Sequence, residues 1–307
     1  MIKRWSGWQG DGLAIALVKG IGSQGERFAT NDRDSFLGSL RDVASFVLGF
    51  STCLPSHERV EGEAVTGVRQ QVGSIAVLTG AGISAESGVP TFRGKDGLWQ
   101  NYRPEELATP QAFRRDPRLV WEWYDWRRGL IEACQPNAAH HTLVEMEAHL
   151  SEFLLITQNV DGLHRLAGSQ KIVELHGNIW GMRCSRACCA PWQDRRVPLA
   201  EIPPKCPCCG ALARPDVVWF GESLSGPALD AAFLAAQRCQ VMLVIGTSAL
   251  VQPAASLPLI ALQQGAYVVE MNPHSTPLSD SVQESIRKPA AVALPDWWRA
   301  WQLEGKR

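Results

Sequence analysis

A chain of 307 residues, 45% hydrophobic, 20% charged and 8% aromatic, has material for a large core and is neither a disulfide-stapled miniprotein nor a disordered or fibrous chain. Lys plus Arg number 30 and Asp plus Glu 31, giving a net charge of -1, so no overall basic field attracts nucleic acid or anionic lipid. The longest apolar runs, such as Val241–Ile245, fall far short of the roughly 18 residues a membrane helix needs, and nothing near the N-terminus reads as a secretory or transit signal. The expected location is the cytoplasm.

Residues 1–66 are rich in Gly, Ser and charge and carry a single helical pattern, running from Phe36 to Leu48. One short helix with polar flanks buries little surface, so this segment is expected to be a weakly ordered N-terminal extension. From Ser74 the texture changes. Ile75, Ala76, Val77 and Leu78 form an unbroken apolar run ending in Thr79, Gly80, Ala81 and Gly82, as a strand buried on both faces would. Similar runs recur at Phe153–Thr157, Val241–Gly246 and Tyr267–Met271, with helical stretches such as Leu229–Gln237 and Ala254–Gln264 between them. Strands alternating with helices predict an α/β fold around a parallel sheet. A Trp-rich helical region and a Cys-rich stretch interrupt the alternation, as a smaller inserted domain would.

Gly80, Gly82 and Ala85 fit the spacing of a glycine-rich nucleotide loop directly after a strand. The acid that a dehydrogenase places about 20 residues on has no counterpart here, because Phe92–Gly97 is a loop with no apolar strand before it. Gln158, Asn159 and Asp161 set three polar side chains at the end of the Phe153–Thr157 strand, where α/β sheets bind ligands; Asp161 also fits a helix cap. His176 ends an apolar strand beside Gly177 and Asn178, and imidazole suits general-base work near neutral pH. Of nine cysteines, Cys184-x3-Cys188 and Cys206-x2-Cys209 have the paired spacing of a structural zinc ribbon. Cys189 could replace Cys188; Cys188 is preferred because its successor stands where Gly210 stands after Cys209.

The run from Gly80 to Gly94 resembles the opening motif of the sirtuins, NAD-dependent protein deacylases. Thr157–His164, Leu175–Asn178, Val217–Glu222 and Gly246–Ser248, then Asn272, agree with the family in order. The resemblance covers about residues 67 to 295. It implies a Rossmann-like NAD-binding domain from 67–98, 150–181 and 214–295, with a small helical and zinc-binding domain from 99–149 and 182–213 inserted, and a C-terminal tail at 296–307. It also implies NAD contacts from Gly80, Ala81, Gly82, Ser84, Glu86, Phe92, Arg93, Gln158, Asn159, Asp161, Gly246, Thr247, Ser248, Asn272 and Ala290, and a lysine-peptide platform at Val218, Trp219, Phe220 and Gly221. His176, with Asn159 beside the nicotinamide ribose, would be catalytic: the acyl oxygen of a modified lysine displaces nicotinamide, and His176 deprotonates a ribose hydroxyl on the way to free lysine and O-acyl-ADP-ribose.

Tyr124 and Arg127 lie three apart on one predicted helix face and resemble the pair that marks sirtuins acting on succinyl- and malonyl-lysine. A guanidinium and a phenol can hold the distal carboxylate of such a group. The plain alternative is an amphipathic helix with Arg127 on its surface. The implied partners are acyl-lysine-bearing proteins, not nucleic acid or membrane, and the chain is expected to be a monomer. Deacetylation or mono-ADP-ribosyl transfer on the same scaffold, or a non-catalytic zinc-ribbon nucleic-acid module, are the alternatives.

Overall fold

Side chains along Ser74–Thr79 (β1) alternate between two cores. Ile75 and Val77 join one apolar cluster, while Ala76 and Leu78 join another. Val241–Ile245 (β7) does the same, with Val241, Leu243 and Ile245 on one side and Met242 and Val244 on the other. A strand buried on both faces reads as the unbroken apolar run seen in the sequence. The structure, a computed structural model, describes residues 73–92 and 104–304. The expected N-terminal extension, residues 1–66, lies outside them, as does Arg93.

Six parallel strands form the main sheet in the order β3-β2-β1-β7-β8-β9, completed by Glu152–Thr157 (β2), Ile172–Glu174 (β3), Tyr267–Met271 (β8) and Glu284–Ile286 (β9). Its direction of winding reverses between β1 and β7. This is the doubly wound order, with one departure: the strand after β1 arrives only at Glu152, because the helices up to His149 are inserted first. Gln158, not an acid, follows that strand, in keeping with the missing dehydrogenase signature.

Helices Pro104–Leu107 (α1), Pro110–Arg115 (α2) and Pro117–Glu132 (α3) follow β1. Thr109 accepts from Ala112 N and Asp116 from Leu119 N, and Pro110 and Pro117 open the helices behind these caps. Ala138–His149 (α4), Leu163–Ala167 (α5), Gly226–Arg238 (α6), Leu257–Gln263 (α7) and Ala290–Glu304 (α8) complete the set. A second, antiparallel sheet places Gly177–Cys184 (β4) between Trp192–Gln193 (β5) and Ala213–Val217 (β6). Trp121, Trp123, Trp180 and Trp219 fill a third core between this sheet and α3.

Four expected boundaries move. Helix α4, assigned above to the small domain, buries Ala139, Leu143 and Met146 in the same cluster as Ile75 and Val77 of the main sheet. Residues 177–181 and 214–217, both assigned to the main-sheet domain, belong to the small sheet, as the start of β4 and the body of β6. Residues 296–304, read as a tail, are the body of α8, whose Trp297, Trp298 and Trp301 are buried in that same main-sheet cluster. Trp298 Nε1 also donates to Glu145 on α4 at 3.0 Å. Composition changes along the chain mark these segments, but only packing says which core each one closes.

Candidate active site

Because the strands are parallel, β1, β2, β3 and β7 end on one edge of the sheet, and the loops that leave them carry the expected residues. The loops after β1 and β7 interlock: Gly80 N donates to Ile245 O at 3.0 Å and Gly82 N to Gly246 O at 2.8 Å. A Cβ on Gly82 would stand 2.7 Å from Gly246 Cα, and one on Gly80 2.8 Å from Thr247 Cα. The two glycines therefore permit the loop-to-loop contact at the switch point before they permit any approach of a phosphate. Thr247 holds the crossing together. Its hydroxyl accepts from Gln158 Nε2 at 3.0 Å and its carbonyl from Asn272 Nδ2 at 2.8 Å. Ala81 opens the short 3-10 helix Ala81–Ser87 and Ser248 follows Thr247 in the β7 loop. Glu86 accepts from Ala291 N at 2.7 Å, which ties it to the first turn of α8 beside Ala290.

Behind this crossing Ser84, Asn159 and Asp161 form one buried cluster. Ser84 donates to Asp161 Oδ2 at 2.8 Å and accepts from Asn159 Nδ2 at 3.2 Å. The other Asp161 oxygen takes Leu163 N at 2.9 Å, the helix-capping role read as its alternative, so Asp161 serves both the cluster and α5. Burial pushes its carboxyl up, against the pull of these two hydrogen bonds and of Arg127.

His176 lies at the end of β3 with Nδ1 3.0 Å from Gln158 O. A carbonyl only accepts, so Nδ1 carries the hydrogen and Nε2 the lone pair. Burial pushes the ring's pKa below 6.5, with the Gln158 bond opposing, so the neutral, basic form is the resting one.

Two further histidines, read from the sequence as a polar-helix residue (His140) and a local packing residue (His164), are both buried beneath the cluster. His140 accepts from Asn137 N at 3.2 Å through Nδ1, so its hydrogen is on Nε2, 3.4 Å from Ser84 Oγ. His164 Nε2 is 3.1 Å from the hydroxyl of Thr79, which donates to Thr157 at 2.8 Å. The two rings pack with centroids 4.8 Å apart. Burial pushes His140 down to about 4 and His164 well below 6.5, so both are neutral props under the cluster. The signal was present: Asn137-x-x-His140 has the spacing of a capping box, with His where Glu or Gln is usual.

On the other side of His176, Val218 N donates to the His176 carbonyl at 2.9 Å. This bond anchors the Val218–Gly221 segment to the base. Trp219 Nε1 donates to the Tyr124 hydroxyl at 2.9 Å, and Arg214, paired with Glu222 at 2.6 Å, stacks 3.6 Å from the Trp219 ring centroid. Phe220 is half-exposed, and Gly221 bends the chain with φ +84. Arg127, expected as a ligand or a surface residue, is 5% exposed. Its guanidinium stands 4.8 Å from the Phe92 ring and 4.9 Å from the Trp123 ring, and it makes no ion pair among the described residues. It lines a small cavity with Val89, Pro90, Leu130 and Ile131.

At the far end of the small sheet, Cys184, Cys188, Cys206 and Cys209 converge. Cys188 Sγ lies 3.4 Å from Cys184, 3.5 Å from Cys206 and 3.2 Å from Cys209, and Cys184 lies 3.6 Å from Cys209. A tetrahedron of roughly 2.3 Å zinc–sulfur bonds has edges of about 3.8 Å, so the four thiols fit a zinc ion and leave it no open position.

A family model described as the Sir2 family matches residues 80–253. The chain belongs to the Sir2 family. It is 55% identical over 221 residues, 72% of this chain and 92% of the relative, to an NAD-dependent protein deacylase of Aquifex aeolicus. An NAD-dependent protein deacylase 1 of Caldanaerobacter subterraneus is 58% identical over 203 residues, 66% of this chain and 84% of the relative. A Sir2 homolog–NAD complex superposes with TM-score 0.74 at 46% identity, covering 81% of this chain and 97% of that one. A Sir2–p53 peptide–NAD+ complex gives 0.69 at 30% identity, covering 78% and 98%. In this Sir2-family chain the strand-end edge therefore fits NAD, with the interlocked loops at the switch point and the Ser84–Asn159–Asp161 cluster and His176 along the same edge.

Proposed function

We propose that this chain is an NAD-dependent protein-lysine deacylase that accepts succinyl- and malonyl-lysine as well as acetyl-lysine. The observation that carries the reading is His176, neutral and with its Nε2 lone pair exposed by the Gln158 bond, beside the polar ends of β1, β2 and β7. NAD, when bound, supplies an electrophilic ribose carbon and nicotinamide as the leaving group. Gly80, Gly82, Thr247 and Asn272 would hold it at the switch point, and Asn159 and Asp161 would face the nicotinamide and its ribose. Ser84 locks those two side chains against each other, so their positions are set before the ligand arrives. His176 takes a ribose hydroxyl proton at Nε2, while Nδ1–H keeps the ring from turning. Phe92, packed on Arg127, shields the reacting ribose from water.

Arg127 supports the acyl preference. A guanidinium this buried, set beside the Phe92 and Trp123 rings and drawn by the Tyr124 hydroxyl and Asp161, with no ion pair among the described residues, is prepared for a carboxylate brought in by substrate. Trp219 occupies the Tyr124 oxygen as a donor, which leaves the phenol hydrogen to be given to the same carboxylate. Val218, Trp219, Phe220 and Gly221 would align the lysine-bearing peptide, and the zinc ion would brace the small sheet without entering the chemistry.

The reading takes the chain to be a monomer of the cytoplasm acting on acyl-lysine proteins. The eight described cysteines are all free, and no helix among the described residues is long and apolar enough to cross a membrane. Mass spectrometry of acetyl- and succinyl-lysine peptides, with and without NAD, tests it. Succinyl loss that needs NAD supports the proposal; loss without NAD contradicts it, and nicotinamide release without any free lysine points to ADP-ribosyl transfer instead.

A further inference from the structure

Six thiols crowd the zinc knuckle, and four suffice for one ion. The remaining two are not idle packing residues. Cys208 is exposed and Cys189 only half-covered, whereas Cys134 and Cys239 are buried and turn their thiols to the carbonyls of Leu130 and Ala236. Cys189, Cys206 and Cys208 form a second trio whose sulfurs all lie within 4.8 Å of one another. Cys189 Sγ is 3.6 Å from Cys206 Sγ, which also belongs to the first set and lies 3.5 Å from Cys188 Sγ. Cys206 is buried, and its backbone N–H is held by Ala211 O at 2.7 Å, so the shared sulfur comes from a well-anchored residue. The sequence explains the division. Cys188 and Cys189 are adjacent, as are Cys208 and Cys209, so each pair supplies one sulfur to each set, with Cys188 Sγ and Cys189 Sγ 3.8 Å apart.

We propose that the knuckle binds a second divalent d10 ion through Cys189, Cys208 and a Cys206 thiolate shared with the first. Thiolates select such soft or borderline ions, and a sulfur already bound to one ion retains lone pairs for another. Charge does not oppose it. Four thiolates around one divalent ion carry a net -2; Cys189 and Cys208 enter as neutral thiols and release two protons to solvent as the second divalent ion binds, which leaves the cluster at -2. With three sulfurs from the protein and Cys208 on the surface, a water completes the tetrahedron. The second ion is therefore the weaker and more exchangeable of the two.

The test uses the full chain, kept reduced and titrated with cadmium in place of zinc, counted by native mass spectrometry and observed by cadmium-113 NMR. The expected result is two ions per chain and two cadmium resonances coupled through a common sulfur. The double variant Cys189→Ser/Cys208→Ser is expected to hold one ion, with unchanged NAD-dependent turnover. Should that variant misfold, alkylation of the wild-type chain gives the same answer: Cys189 and Cys208 react when one ion is bound and are protected when two are. Saturation of the reduced wild-type chain at one ion, or thiols at 189 and 208 that alkylate equally fast in excess metal, would overturn the proposal. So would a variant that still takes two ions.

Discussion

His176 and Gln158 are joined by a 3.0 Å bond from the ring Nδ1–H to a backbone carbonyl, and that bond decides which nitrogen is the base. The side chain of Gln158 is at the same time committed to Thr247 at 3.0 Å. One residue thus orients the base with its main chain and the β7 loop with its amide.

Removing the imidazole by His176→Ala is expected to lower turnover by about 10²- to 10⁴-fold, the usual worth of a general base, while NAD binding by calorimetry persists. Burial holds the ring's pKa below 6.5, so the base is already unprotonated at neutral pH. The kcat/KM profile should therefore stay level as pH falls to about neutral and decline only below 6.5. An acid limb above that value would show that His176 is not the titrating group.

Arg127→Met keeps the length of the side chain and discards its charge. Succinyl-lysine turnover is expected to drop about 10²-fold or more, corresponding to roughly 3 kcal/mol for one buried charge-assisted contact, whereas acetyl-lysine turnover changes little or rises. Equal losses on both peptides would assign Arg127 to support of α3 and its aromatic neighbours.

The buried ring of His140 makes stability depend on pH with a definite sign. Its pKa falls from 6.5 in the unfolded chain to about 4 in the fold, so between these values the unfolded state binds the extra proton. Stability is complete above pH 6.5 and is lost as pH falls toward 4, by roughly 3 kcal/mol in all and about 2 kcal/mol at pH 5. The raised carboxyl of Asp161 works in the opposite direction, so the comparison should be made against His140→Asn. Urea unfolding at pH 7 and pH 5 should show a smaller difference in the variant; an equal difference would mean that His140 contributes nothing to the acid sensitivity.

Helix α8 closes the main core with Trp297, Trp298 and Trp301, all under 9% exposed. Trp298→Ala is expected to cost about 3 to 5 kcal/mol, read as a lower denaturation midpoint. Ending the chain at Pro295 should leave no cooperative transition. A truncated chain that melts like the full one would return residues 296–304 to the status of a tail.

The sequence alone determined whatever depends on neighbours along the chain. Ile75–Leu78 reads as a two-face-buried strand because every position is apolar, the cysteine pairs announce a metal through their spacing, and His176 stands out as a titratable ring at a strand end within a run of family motifs. Only the tertiary structure decided which distant residues meet. Gly82 touches Gly246, His140 lies against His164, and Ala139 shares a core with Trp298 because the sheet sets β1 between β2 and β7 and folds α4 and α8 onto one face. The same holds for Arg127, whose spacing from Tyr124 fits a surface cation as well as a buried one; the side of α3 that faces Phe92 was fixed by the assembled core, since burial is a property of everything that surrounds a residue.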